Sequence, residues 1–415
     1  MQIELARSLE GTASGEEAKG ILSKCVHCGF CTATCPTYQL LGNELDGPRG
    51  RIYLIKSVLE GGECSERTRI HLDRCLTCRS CETTCPSGVR YGRLLEVGRD
   101  LVEKAAPRTR GERAVRWAIR KFLCGRFFAP FLALGRLVRP GLPARLAARI
   151  PEGRVAGERP ATGHDRRMLV LEGCVQSAIG PNINSAAMRV LDRAGISLVS
   201  SPTAGCCGAL SLHMSAVEEA KQSMRRNIDA WWPFLESGVN TIVMTASGCG
   251  VTVREYGELL SHDPEYAEKA RRISAATRDL SEVVDEVQPG KIEGTESLRV
   301  AFHSPCTLQH GQQITGIVER VMQRAGFSLV EVTESHLCCG AAGTYSILQP
   351  EISGTLLENR LTAIQGESSD VIVTANIGCQ VHLQSRSRVP VLHWIELLDN
   401  PAIATKRLIT RDRRG

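Results

Sequence analysis

Eight of the chain's 18 cysteines fall into two copies of one ladder, Cys25-x2-Cys28-x2-Cys31-x3-Cys35-Pro36 and Cys75-x2-Cys78-x2-Cys81-x3-Cys85-Pro86. Three thiolates two residues apart on a tight turn can grip three irons of a [4Fe–4S] cube, and the fourth iron then needs a sulfur from elsewhere. The cysteine before each proline leads away from its own turn, so each ladder is expected to lend its last sulfur to the other's cube. This reading assigns Cys25, Cys28, Cys31 and Cys85 to a first [4Fe–4S] cluster, and Cys75, Cys78, Cys81 and Cys35 to a second. Structural zinc would instead call for two CxxC or CxxH pairs. The 39 residues between the ladders, Pro36 to Arg74, have helical rather than strand periodicity. In Gly50–Leu59, Ile52, Ile55 and Leu59 share one face, and Glu66–Leu72 leads into the second ladder in the same way. A helical di-cluster ferredoxin domain is therefore expected over residues 1–100.

A chain of 415 residues has room for two to four domains. Residues 1–20 carry Glu4, Glu10, Glu16 and Glu17 and lack the apolar core of a secretory leader. Reduced thiols and a cytoplasmic location are the expectation. The longest apolar run, Phe127 to Leu134, is interrupted by Pro130 and falls far short of the roughly 20 residues a membrane-spanning helix needs. The net charge of +6 is concentrated: from Pro107 to Arg154 there are twelve Lys or Arg, Arg116, Arg120, Lys121 and Arg126 among them, against Glu112 and Glu152. Trp117, Phe122, Phe127, Phe128 and Phe131 lie in the same stretch. Residues 101–164 thus read as a basic helical connector, cut into short helices by its prolines. A basic amphipathic helix can rest on the cytoplasmic face of the inner membrane or pack on a partner subunit, and the residues leave both open. Nucleic-acid binding is not expected, because no reading module accompanies the charge.

From residue 165 onward the chain repeats itself. The first unit runs MLVLEGC (Met168–Cys174), AGISLV (Ala194–Val199), Gly205-Cys206-Cys207-Gly208 and TIVMTASGC (Thr241–Cys249). The second runs VAFHSPC (Val300–Cys306), AGFSLV (Ala325–Val330), Cys338-Cys339-Gly340 and VIVTANIGC (Val371–Cys379). In both, 31 residues separate the first cysteine from the pair, a phase that signals duplication. Apolar β-branched runs alternate with helical segments, so the fold class is α/β, two tandem βαβ-type repeats at 165–290 and 295–400 after the helical domain. A basic tail, 401–415, closes the chain. The cysteines follow strand ends, the edge where open α/β sheets bind ligands. Cys174, Cys206, Cys207 and Cys249 should meet in one crevice, and Cys306, Cys338, Cys339 and Cys379 in another. Each set is a candidate for a further metal or cluster.

At these residues the chain resembles the iron–sulfur subunits of anaerobic-type dehydrogenases. That group takes in glycolate oxidase, the third subunit of anaerobic glycerol-3-phosphate dehydrogenase, and the catalytic side of heterodisulfide reductases. CVHCGFCTATCPTYQLLGNELDGPRGRIYLIKSVLEG, HLDRCLTCRSCETTCPSGVRYGRLLEVGRD, TASGCG, SPCTLQHGQ and HLCCGAAGTYS are closest to the glycolate oxidase branch. The likeness covers nearly the whole chain and is loose only in the connector. It implies an electron-transfer subunit of a flavoprotein glycolate (2-hydroxy acid) dehydrogenase, an oxidoreductase acting on CH–OH donors. FAD would sit on partner subunits, and a membrane acceptor such as a quinone would take the electrons. One departure stands out. In heterodisulfide reductases the repeat that holds an unusual cluster ends in CxxC, whereas here the places read Ala246-Ser247-Gly248-Cys249 and Asn376-Ile377-Gly378-Cys379. The fifth thiolate of each repeat is missing, which argues against heterodisulfide chemistry.

No dinucleotide fingerprint, P-loop or Ser/His/Asp arrangement stands out. Removing hydride from a hydroxy acid needs a flavin or nicotinamide, so no catalytic residue is assigned and the chain is not expected to turn over substrate alone. The alternatives are another oxidoreductase with the same repeats, of the glycerol-3-phosphate or heterodisulfide/thiol type, and a metal-sensing or scaffold protein. Lys24, Arg74 and Arg79 flank the ladders as candidate tuners of cluster potential. His27, His310 and His336 read as orienting, packed or exposed side chains, and Cys64 and Cys124 as small hydrophobes.

Overall fold

The computed structural model describes residues 1–125, 127–143, 147, 150–365 and 368–404; Arg126 and most of the basic tail lie outside them. The N-terminal unit is helical, as its periodicity predicts. Helix Pro48–Leu59 starts with a proline at its first position, where the missing N–H costs nothing. It turns Ile52, Ile55 and Leu59 inward against Leu94, Leu95 and Val102, from helix Tyr91–Ala105. Helix Glu66–Asp73 is closed by a capping box between Ser65 and Thr68.

Each repeat forms a four-stranded parallel sheet. The first contains β1 (Arg166–Val170), β2 (Ile196–Ser200), β3 (Ile242–Met244) and β4 (Thr277–Asp279), in the order β2-β1-β3-β4. The second contains β5 (Arg299–His303), β6 (Ser328–Val330), β7 (Val371–Thr374) and β8 (Val391–His393), in the order β6-β5-β7-β8. The two orders match strand for strand, which is the structural form of the duplication. Central strands β3 and β7 are buried along their whole length, as parallel strands covered on both faces must be.

The repeats pack on each other through a shared core. Val170, Ile183 and Leu191 of the first and Phe302, Val318, Val373 and Trp394 of the second belong to one apolar cluster. Ser247 N–H donates to the Ala375 carbonyl at 3.1 Å, and Arg189 pairs with Asp399 at 2.6 Å. The N-terminal unit docks on both repeats. Arg79 and Arg90 pair with Glu255 and Glu258 of the first. Leu76 packs with Cys338, Tyr345 and Leu356 of the second.

Among the described residues no helix is long and apolar enough to cross a membrane. The connector contains helices Arg110–Cys124 and Phe128–Val138. No residue of helix Arg110–Cys124 is fully buried, and Leu123 near its end packs against the shared core.

Candidate functional site: two ladder cavities and a shared cysteine-lined crevice

The ladder loops owe their shape to left-handed backbone. His27 and Gly29 in the first, and Thr77 and Arg79 in the second, all have positive φ. For Thr77, a β-branched residue at φ 56°, this is a strained state that only the surroundings can hold. It turns the Thr77 N–H onto Cys75 Sγ at 3.4 Å. The Val89 N–H likewise points at Cys85 Sγ, 3.5 Å away.

Two small cavities result. One is lined by Cys25, Cys28, Cys31 and Cys85, the other by Cys35, Cys75 and Cys78. Pro48, Cys81 and Tyr91 line both, so the cavities share a wall. Cys85 thus borders the cavity of the first ladder's turn, and Cys35 that of the second's. All 18 cysteines are free thiols. Burial pushes Cys31 up to about 11 and carries Cys78 and Cys81 well above the ordinary thiol value. Thiols crowded in this way ionise only when a cation compensates them, and sets of four cysteines around a cavity suit iron–sulfur cubes.

Arg51 is a lining residue of the second cavity that the sequence did not single out. It lies on the inward face of helix Pro48–Leu59 and is only 1% exposed. Its Nη1 donates to Thr37 Oγ1 at 3.1 Å, and Thr37 Oγ1 is 3.4 Å from Cys35 Sγ. Burial works against its charge, but Cys75, Tyr91, Cys35 and Asp46 around it more than restore it. A fixed positive charge therefore stands beside the second cysteine set. The Tyr91 hydroxyl adds a hydrogen bond to Cys75 Sγ at 3.7 Å. Of the flanking cations named from sequence, Arg79 lines the second cavity. Lys24 is exposed, Arg74 binds Asp46 at 3.0 Å, and Arg79 is held between Glu82 and Glu255.

The eight cysteines of the repeats do not form two separate crevices. Cys174, Cys206, Cys207, Cys249, Cys306, Cys338, Cys339 and Cys379 all line one cavity of about 420 Å3, together with Cys75, Leu76 and Thr77 of the second ladder. The two sheets present their carboxyl edges to the same space, so duplication has produced one chamber. The Gly after each cysteine pair is required: Gly208 and Gly340 have φ of 94° and 89°, and a Cβ would meet the Ala220 and Ser353 carbonyl oxygens at 3.0 and 2.8 Å.

Within the chamber the repeats differ. Cys306 and Cys338 have their sulfurs 3.8 Å apart. His303 lies with Cys339 and Cys379, one ligating atom from each within 4.8 Å of the others. Its Nδ1 accepts from Arg360 Nε at 3.0 Å. Because a guanidinium only donates, His303 must carry its hydrogen on Nε2, and that buried atom has no hydrogen-bond partner. Burial and Arg360 hold this imidazole neutral.

In the first repeat Cys124 joins Cys174 and Cys206, their sulfurs all within 4.8 Å of one another. Cys124 therefore is not the isolated hydrophobe its position outside every motif suggested. Its hydrogen bond with Cys174 favours ionisation, but the bond with Cys206 and burial outweigh it and carry Cys124 up to about 12. Hydrogen bonds with Cys124, Cys174 and Cys207, opposed by burial, hold Cys206 well below the ordinary thiol value. Cys64 packs against the N-terminal core as expected. His310 bridges units, its ring nitrogens 2.9 Å from Thr83 Oγ1 and from the His336 carbonyl. His27 stacks edge-on against Tyr53.

Fold and site together define a redox protein built from a dicluster iron–sulfur domain and paired cysteine-rich domains. The family model described as 4Fe-4S dicluster domain matches residues 21–89, and that described as cysteine-rich domain matches 168–254 and 300–384. The chain is 51% identical over 401 residues to the glycolate oxidase iron-sulfur subunit of Escherichia coli strain K12, covering 96% of this chain and 98% of that one. It is 31% identical to the probable glycolate oxidase iron-sulfur subunit of Bacillus subtilis strain 168, covering 88% and 89%. Lactate utilization protein A of Bacillus licheniformis is 23% identical over 55% of this chain and 96% of its own length. The chain belongs to the family of glycolate oxidase iron-sulfur subunits.

Proposed function

We propose that this chain is the iron–sulfur electron-transfer subunit of a flavoprotein glycolate (2-hydroxy acid) dehydrogenase, serving the oxidation of glycolate to glyoxylate. Full-length similarity to the Escherichia coli subunit supports the substrate class. The observation that carries the redox role is the pair of adjoining cavities, each bordered by cysteines of both ladders. Cys25, Cys28, Cys31 and Cys85 would hold one [4Fe–4S] cluster, and Cys35, Cys75, Cys78 and Cys81 the other. Such clusters, when bound, provide one-electron transfer, while the two electrons and two protons leaving glycolate need a flavin on a partner subunit.

The chain's own residues set the conditions. Arg51 and the Tyr91 hydroxyl favour negative charge on the second cysteine set, and Thr77 and Val89 N–H groups fix two of the sulfurs. Cys75, Leu76 and Thr77 also border the large chamber. This makes the second set the one in contact with the repeats and their thiols.

The acceptor side is read as a membrane surface and a quinone. The connector exposes Trp117, Phe122, Phe127, Phe131, Leu134 and Leu137 beside the exposed cations Arg110, Arg113 and Lys121. Aromatic residues with basic neighbours suit anionic headgroups, at about 1 kcal/mol per cation.

The test is reconstitution. The chain purified without oxygen should carry about eight irons in its ladders and show no glycolate-dependent dye reduction. Adding the flavoprotein subunits should restore activity. Robust turnover by the isolated chain, or ladders filled with zinc, would overturn the reading.

A further inference from the structure

We propose that the chamber between the two repeats binds a lipid-soluble quinone and is the place where it is reduced. The inference rests on the reading of the chain as an electron-transfer subunit with a quinone acceptor, and adds where on the chain that acceptor sits. The chamber, at about 420 Å3, has the size of a small-molecule site, about 300–1,000 Å3. Its walls are mainly apolar, with Leu171, Ile179, Leu210, Ile347, Leu348 and Val381 among them. Such walls favour a flat, uncharged ring over a charged acceptor.

Two wall residues, Gln176 and His213, hold polar atoms with no hydrogen-bond partner. Gln176 is buried, and its Nε2 donates to Asn184 Oδ1 at 2.9 Å and to Thr245 Oγ1 at 2.6 Å. Its amide is thereby oriented, and the buried Oε1 is left unpartnered. His213 Nδ1 is in the same position. Burial, with Arg99 and Arg79 adding to it, lowers this imidazole to about 4, so it is neutral and has one donor and one acceptor nitrogen. A quinone has two carbonyl oxygens that accept, and its reduced form has two hydroxyls that donate. An amide oxygen together with a neutral imidazole can serve both forms.

The chamber also touches both elements that such a site needs, an electron donor and a lipid face. Cys75, Leu76 and Thr77 form part of its wall, so a ligand inside lies beside the second cysteine set. Arg116 and Leu123 of helix Arg110–Cys124 form another part, and Trp117 and Phe122 of the same helix are exposed. One helix thus borders the chamber and carries aromatic side chains read as membrane-facing. Ile347 is a wall residue yet 54% exposed, so the chamber reaches the surface there. Reduction adds two electrons and two protons to the quinone and yields the quinol. The electrons originate in glycolate and enter from the side of the second cysteine set, and the protons come from water.

The experiment uses the full chain, purified without oxygen, and a short-tailed benzoquinone whose ring is fully substituted so that thiols cannot add to it. Calorimetric titration should show one quinone bound per chain. The same quinone with a photoreactive azide on its tail should label peptides that contain His213 or Ile347. Leu210→Trp, which fills the chamber, and Ile347→Arg, which charges its surface edge, should each weaken binding at least tenfold while iron content and the ladders' EPR signals are kept. If Leu210→Trp disturbs the fold, Ile347→Arg decides. Labels confined to the outer face of the connector, or undiminished binding by the folded variants, would overturn the chamber as the site. With the flavoprotein subunits added, glycolate should reduce this quinone. A complex that reduces an artificial dye but not the quinone would overturn the proposal and spare the electron-transfer reading, whereas one that reduces neither would overturn both.

Discussion

The Tyr345 hydroxyl donates to the backbone carbonyl of Arg74 at 3.0 Å, joining the second cysteine-rich repeat to the residue before Cys75. Tyr345 also packs with Leu76 and Cys338, so one side chain holds the second ladder against the repeat. Tyr345→Phe removes the hydrogen bond and keeps the packing. It is expected to cost about 1 kcal/mol, read as a lower melting temperature with iron content unchanged.

The proposal that each ladder lends its last cysteine to the other's cluster makes a spectroscopic prediction. Cys85→Ser should alter the same EPR signal as Cys25→Ser, and Cys35→Ser the same signal as Cys75→Ser. If each ladder held its own cube, Cys35→Ser would instead perturb the signal that Cys25→Ser perturbs.

Arg51 places a positive charge beside Cys35 and Cys75, which favours the more negative, reduced state of whatever they bind. Arg51→Leu should lower the potential of that centre alone, by several tens of mV up to about 100 mV for one charge at an effective dielectric near 20. Arg51→Lys keeps the charge and should keep most of the potential. Potentiometric titration followed by EPR distinguishes the two; equal shifts would remove the charge from the explanation.

Burial raises the Glu96 carboxyl to about 7 from its ordinary 4.5, with Glu255 adding to the effect and Arg93 opposing it. The folded state therefore keeps a proton that the unfolded chain loses. The stability this gives is complete below 4.5 and disappears as pH rises through 7. Glu96→Gln is neutral throughout, so its advantage over the natural chain should grow between pH 5.5 and pH 8, by on the order of 1 kcal/mol or more. Thermal melts at both pH values test it, and a pH-independent difference would contradict the assignment.

The connector's exposed face predicts salt-sensitive vesicle binding. The chain should sediment with vesicles containing anionic lipid, less at 0.5 M salt than at 0.05 M, and several-fold less when Trp117 and Phe131 are both replaced by Ala. No binding to anionic vesicles at either salt concentration would instead point to a protein partner on this surface.

Local spacing determined much of this protein. Cysteines two residues apart must sit on one turn, so the ladders, their helical surroundings and the α/β repeats with cysteines at strand ends could all be read along the chain. Only the tertiary structure decided which distant groups meet. Cys124 stands outside every motif, and nothing local marks it as a neighbour of Cys174. Arg51 interrupts an apolar helix face, and its role depends on Thr37 and Cys35 being folded over it. The merging of two crevices into one chamber likewise depends on how the two sheets pack, a property of whole surfaces that no short segment encodes.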